Sequence, residues 1–457
     1  MYSRMSMEQA TDSVTWKNYL EAGNRAFELG RYEDAEKLYQ KALIEARKEF
    51  AEGTLHDLGD SQMLHADDTE SGEHPSEKLA DSTIVDLSEH PSFGEIYVKL
   101  GDLYWVQAAY RKAEEAYKLA LSVKETCFGV NDLALAPVLD KLGKVFRSQG
   151  KFSEVEPYFR RALTIYEAHE DCDKLALGLT LENLADFYRA HGKFEQAEPL
   201  FRKSISVRES VVGPDDPSIG PLLQNLALLH HADGDHAKAE PLYVRALKLC
   251  EEEWGEDHPS VATLLNYQAE LYRMMGDFSK AEKIHWRALK IRQTVLGLEH
   301  PSTAQTLGNL ALLFHIQCRY DQAEPLYKTL LEIRTKDWGP KHMHVAEVLN
   351  SLAEVYRDQQ KYNEAEQHYW RALSIVQENL GPEHPSVAKS LQSLAELYED
   401  QQNFEEADRL YRWGLGLSEK ALGSEHPEVA SLMARYASLQ KKMSSDDEDD
   451  TDLLWQD

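Results

Sequence analysis

The chain has 457 residues, 42% of them hydrophobic and 28% charged, enough apolar material for a long buried core. Its 50 Lys and Arg against 79 Asp and Glu leave a net charge of −29, so neither nucleic acid nor an anionic membrane surface is expected as the main partner. The opening residues lack the apolar stretch of a signal peptide, and no run of about 18 apolar residues exists to cross a bilayer; a cytoplasmic protein with no membrane partner is expected.

Taken in order, residues 1–14 are polar and expected to be disordered. A first helical hairpin is predicted over 15–46, carried by Gly23, Ala26, Gly30, Tyr32, Ala35, Tyr39 and Ala42. Residues 47–89 are acidic and poor in aromatics, without sustained helical periodicity, and read as a flexible insert. Residues 90–443 read as eight contiguous 42-residue units followed by a capping helix from Glu428. The tail 444–457 is acidic, is expected to be disordered when free, and contains an apolar Leu453, Leu454, Trp455 cluster.

The unit is clearest from Asp216 to Asp257. Leu222, Leu223, Leu226 and Leu229 follow one helical period, Gly234 interrupts, and Ala239, Leu242, Tyr243, Ala246, Leu247 and Cys250 follow a second. Asp216-Pro217 has the cap-then-proline order that opens a helix, Pro241 is expected near the first turn of the second helix, and Gly255 reads as its C-terminal cap. The small residue opening the second helix recurs every 42 residues as Ala113, Val155, Ala197, Ala239, Ala281, Ala323, Ala365 and Ala407. A small residue of the first helix recurs in step as Gly101, Gly143, Ala185, Ala227, Ala269, Ala311, Ala353 and Ala395. One such hairpin cannot bury its apolar face alone, so neighbours must stack into a solenoid, with small residues where helices approach most closely.

Leu226-Ala227, Ala239, Tyr243 and Ala246 resemble the tetratricopeptide repeat. The 42-residue period, with Gly-x-x-His-Pro linkers at Gly255–Pro259, Gly297–Pro301, Gly381–Pro385 and Gly423–Pro427, is similar to the repeat of kinesin light chains, although the heptad region of that family is not found before the repeats. The resemblance implies an all-α, right-handed superhelical solenoid of antiparallel helix pairs with a C-terminal capping helix, binding cargo peptides in its groove.

No nucleotide-binding loop, HExxH motif, CxxC pair or GxSxG elbow occurs; no enzyme activity, catalytic residue, metal or cofactor is expected. Cys127, Cys172, Cys250 and Cys318 show no metal-ligand spacing and fit a reducing compartment. His230, His231, Asp233, Asp235 and His236 cluster in sequence, but His230 stands in an aromatic column and reads as packing. His258, His300, His384 and His426 read as helix-start residues, and Trp254 and Trp338 as core.

One column departs from this background. Four residues after the small residue of each first helix stand Arg147, Arg189, His231, Arg273, His315 and Arg357, then Glu399. The resemblance places that column in the groove, as a basic ladder suited to carboxylates. Beside it run Asn183, Asn225 and Asn309, with Asn266 and Asn350 one residue earlier in their repeats; carboxamides can donate to and accept from a peptide backbone. The expected function is a non-enzymatic adaptor that binds an extended acidic segment of a protein partner; the alternative is a sensor whose groove takes a small peptide or metabolite. The light-chain resemblance also implies grooves that accept tryptophan among acidic residues, making Leu454 and Trp455 an expected intramolecular competitor.

Overall fold

The computed structural model describes residues 15–63 and 90–453. Among them are nineteen α-helices and no strand, and the contacts divide the chain into one unit ending at Leu229 and a second beginning at His230. The first unit contains α1 (Trp16–Glu28), α2 (Tyr32–Met63), α3 (Pro91–Val106), α4 (Tyr110–Phe128), α5 (Ala136–Ser148), α6 (Phe152–Ala168), α7 (Lys174–Ala190) and α8 (Phe194–Val212). Helix α9 (Gly220–Ala232) holds the division. The second unit contains α10 (His236–Trp254), α11 (Pro259–Met274), α12 (Phe278–Leu296), α13 (Pro301–Ile316), α14 (Tyr320–Trp338), α15 (Met343–Asp358), α16 (Tyr362–Leu380), α17 (Pro385–Asp400), α18 (Phe404–Leu422) and α19 (Pro427–Leu453). Each unit is a stack of helix pairs, so the all-α solenoid expected from the period is the fold.

The helix starts follow from the linker chemistry. In His90, His258, His300, His342, His384 and His426, the ring Nδ1 accepts the backbone N–H two residues on, at 3.1–3.3 Å. Asp173 does the same for Leu175 and Ala176, and Asp132 and Asp216 cap the short 3₁₀ turns that lead into α5 and α9. A linker histidine is therefore a helix cap interchangeable with aspartate. At the other end, Gly255 takes φ +84° and its N–H reaches the Glu251 carbonyl, closing α10 in a conformation that costs other residues strain.

The core includes a column of second-helix residues, Tyr117, Phe159, Phe201, Tyr243, Tyr327, Tyr369 and Tyr411, all buried, and Tyr117 and Phe159 lie against the small Gly101 and Gly143 of their first helices. The fit is close. A Cβ added at Gly101 would lie 2.4 Å from the Tyr117 ring. In the second unit the same column holds His285, wholly buried.

Four expectations change. Helix α2 continues past residue 46 to Met63, and Phe50, in the first turn beyond 46, stacks on His90 at 3.7 Å and lies edge-on to Phe93 at 5.9 Å, which ties that turn to α3. Helix α19 continues past 443 to Leu453: Val429, Leu432 and Leu439 anchor its packed part, and propagation from an established helix is cheap. Pro241, expected near the first turn, sits inside α10 at its sixth residue, a place that Pro157, Pro199 and Pro325 share in their own helices. Trp254 and Trp338 are 56% and 50% exposed, each ring stacked on its linker histidine at 5.1 and 4.6 Å, because the last turn of a second helix lies beyond the next repeat's cover. Residues 1–14, 64–89 and 454–457, with Leu454 and Trp455, lie outside the described residues.

Candidate functional site

The candidate site is the face of the first helices that carries the ladder. Three positions per helix share it, one, two and three turns along the same stripe, so the residue types there decide its chemistry.

In the first unit α5 presents Lys141, Lys144 and Arg147. Lys141 pairs with Asp102, whereas Lys144 and Arg147 have no ion pair among the described residues. Burial pushes the half-buried Lys144 ammonium below the usual lysine range, opposed by Asp140. Asp140 is itself buried; its carboxyl is raised to about 6 by desolvation, against the 2.6 Å hydrogen bond it accepts from Thr180 on α7. On α7, Arg189 is taken up by Asp186 one turn earlier at 3.1 Å. Asn183 is buried and its Nδ2 has no hydrogen-bond partner, while Asn225 donates to Glu182 at 3.5 Å.

The second unit differs. Arg273 makes a two-pronged ion pair with Glu270, which holds that carboxyl below its usual range. Arg357 faces Glu396 at 3.2 Å, Asp400 at 3.5 Å and Asp358 at 3.8 Å. His315 Nε2 lies 2.8 Å from Asp358, and Glu396 and Glu399 also receive Arg435 and Lys442 from α19. His231 is half-buried, its ring 5.5 Å from that of His236, and burial lowers its pKa, which favours the neutral form. In this unit Arg273, His315 and Arg357 are thus compensated by the acids of their own and neighbouring helices, and the α15 and α17 faces are net acidic. The asparagines also divide. Asn266 is committed inside the protein, donating to Thr306 at 2.9 Å and accepting from His285 at 3.1 Å, whereas Asn309 is half-buried with no side-chain hydrogen bond among the described residues. Asn350 is half-buried, with an unpaired Oδ1.

Tyr267 and Met274 on α11, with Leu312 and Ile316 on α13, are exposed apolar residues on this stripe. The sequence reading passed over them, although counting the register three residues back from Arg273 and His315 leads to Glu270 and Leu312. Leu312 stands in that register and Tyr267 in the column of Asn225 and Asn309, whereas Met274 and Ile316 directly follow the ladder residue in a column with no single repeated residue type.

Known proteins sharpen the picture. The Tetratricopeptide repeat family model matches residues 92–168, 177–252, 221–294, 260–336 and 344–420, more than half of the chain. The chain belongs to the tetratricopeptide repeat family. Its repeats are of the kinesin light chain-like type, 42 residues long with His-Pro linkers. Among solved structures, this tetratricopeptide array is similar to BtubC (BKLC) from P. vanneervenii, at 25% identity over 50% of this chain and 88% of that one, with a TM-score of 0.42. It is also similar to nearly identical TPR-like repeats from a candidate kinesin light chain of Podosopora anserina, at 22% identity over 45% and 98%, TM-score 0.42. Aspartyl phosphate phosphatase F from Bacillus subtilis is similar at 17% identity over 82% and 97%, TM-score 0.46. Comparison with curated proteins gives no match. The tetratricopeptide fold is a protein-interaction scaffold, and no described helix of this array is long and apolar enough to cross a membrane.

Proposed function

We propose that the array is a non-enzymatic scaffold that binds an extended segment of a partner protein along the first-helix faces. The observation that carries this reading is the exposed apolar stripe of Tyr267, Met274, Leu312 and Ile316, set beside the ion-paired Arg273 and His315 and the free carboxamide of Asn309. Apolar side chains of a ligand would cover the stripe, and Asn309 would hold its backbone. In the first unit, Lys144 and Arg147 make no ion pair among the described residues and would offer acidic ligand residues a separate surface. Competition by Leu454 and Trp455 for the second unit's ladder is not carried forward, since Arg273 and Arg357 already hold carboxylates.

A peptide array probed with the full chain tests the proposal. Captured peptides should combine apolar residues with acids. Leu312→Asp should weaken binding about tenfold or more, and Lys144→Ala/Arg147→Ala should reduce it mainly at low salt. Binding unaffected by all three changes would remove both faces from the site. A groove that retains only small peptides or metabolites, with no macromolecular partner recovered, would favour the sensor reading.

A further inference from the structure

A second basic feature lies away from the ladder, between α1 and α2. Arg25, Arg31, Lys37 and Lys41 line an open cleft of about 450 Å³ whose apolar surface includes Leu29 and Leu38, with Asp34 its one acidic residue. None of the four cations has an ion pair among the described residues; Lys41 only lies over the Tyr19 ring, at 5.9 Å. In a protein of charge −29, where Arg189, Arg273 and Arg357 each find a carboxylate on their own or a neighbouring helix, four cations without an ion pair gathered around one cleft make a local basic patch. Lys37 and Lys41 stand one turn apart on α2, a like-charge arrangement whose repulsion an anion would relieve. Leu29 is 70% exposed at the rim. The cleft therefore asks for an acidic segment that also brings apolar side chains.

Such a segment exists in the same protein. Asp446, Asp447, Glu448, Asp449, Asp450 and Asp452 run directly into Leu453, Leu454 and Trp455. Through Leu453 the run continues the backbone helix of α19, which presents it as a preformed ligand at reduced ordering cost. We infer that the cleft between α1 and α2 receives the segment 446–455 of a second copy of this chain, carboxylates on the four cations and Leu454 and Trp455 over Leu29 and Leu38. The surfaces that meet are different on the two partners, so each copy keeps one unused donor and one unused acceptor. Association of this kind adds copies head to tail rather than stopping at a dimer.

Sedimentation velocity on the full chain in the micromolar range decides the matter. The unaltered protein should form concentration-dependent oligomers at low salt, weakening about tenfold as salt is raised toward 0.3 M. Arg25→Glu/Lys41→Glu, which alters only exposed cleft residues, should be monomeric alone, as should Leu454→Ala/Trp455→Ala. Mixed, the two variants should give a 1:1 dimer and nothing larger, because each supplies the surface the other lacks; that result also shows both variants to be folded. Lys144→Glu/Arg147→Glu should assemble like the parent. A parent that stays monomeric at every concentration, a mixture that yields no dimer, a cleft variant that assembles normally, or loss of assembly in the Lys144/Arg147 variant would each overturn the inference.

Discussion

Asn266 of α11 donates its Nδ2–H to the Thr306 hydroxyl of α13 at 2.9 Å, and Asp140 of α5 accepts from the Thr180 hydroxyl of α7 at 2.6 Å. The two bonds join equivalent positions 40 residues apart, once in each unit, so a polar tie between successive first helices is part of how the repeats stack. Around Asn266 the tie becomes a network: Arg292, buried, donates to Thr306, Thr263 and the Ser302 carbonyl, and His285 donates to Asn266. Asn266→Ala would strand the His285 N–H and remove a donor to Thr306, and should cost about 1–3 kcal/mol in urea unfolding. Asn309→Ala should be nearly neutral for stability and visible in ligand binding. Equal stability losses at the two sites would show that the asparagines act alike.

Two buried titratable groups, His285 and Asp140, respond to acid in opposite directions. Desolvation lowers His285 to about 4, opposed by Glu270 and reinforced by Arg273 and Arg292. Its folded pKa lies below the unfolded value, so its contribution is complete above about 6.5 and is lost as pH falls toward 4, on the order of 3 kcal/mol. Asp140 runs the other way: burial raises it to about 6, against Thr180 and Lys144, so its folded pKa lies above the unfolded value. Its stabilising effect is complete below about pH 3.9 and disappears as pH rises through 6. Hydrogen exchange between pH 7 and 4 should show α11 to α13 losing protection while α5 to α7 gain. His285→Tyr should abolish the first change and Asp140→Asn the second; parallel behaviour of both regions would refute the assignment.

At the turn between paired helices, Gly150, Gly192, Gly234 and Gly276 take positive φ, and the same register position holds Ala108, Cys318, Gln360 and Gln402 at φ +55° to +61°. These four non-glycine residues bear strain that the glycines avoid. Gln360→Gly and Gln402→Gly should each raise stability by about 0.5–1 kcal/mol, read as a higher Tm, since the left-handed penalty exceeds the entropic cost of glycine. An unchanged or lower Tm would mean that the Gln side chains contribute more than the strain removes.

The linker histidines provide a test of capping. His258→Ala should cost about 1 kcal/mol, whereas His258→Asp should restore most of it, because Asp132, Asp173 and Asp216 already cap the corresponding turns. If aspartate is as damaging as alanine, the stack of Trp254 on His258 rather than the Nδ1 acceptor is what matters.

The period, the pairing of helices and most of the core were determined by the sequence alone. A strict 42-residue register places the same residue types at the same contacts in every repeat, and small residues opposite aromatic ones allow little choice of packing. The ladder was legible as a column of positions but not as a charge. Whether Arg273 and Arg357 are free or neutralised depends on Glu270, Glu396 and Asp400, whose reach follows from helix phase and from the approach of the next repeat. The same holds for Asn266, turned inward by Thr306 and His285 while Asn309, one residue later in its repeat, is left open. Trp254 and Trp338 are exposed because burial at a helix end is decided by the cover the following repeat provides. Only the folded stack brings that neighbour to, or withholds it from, a side chain.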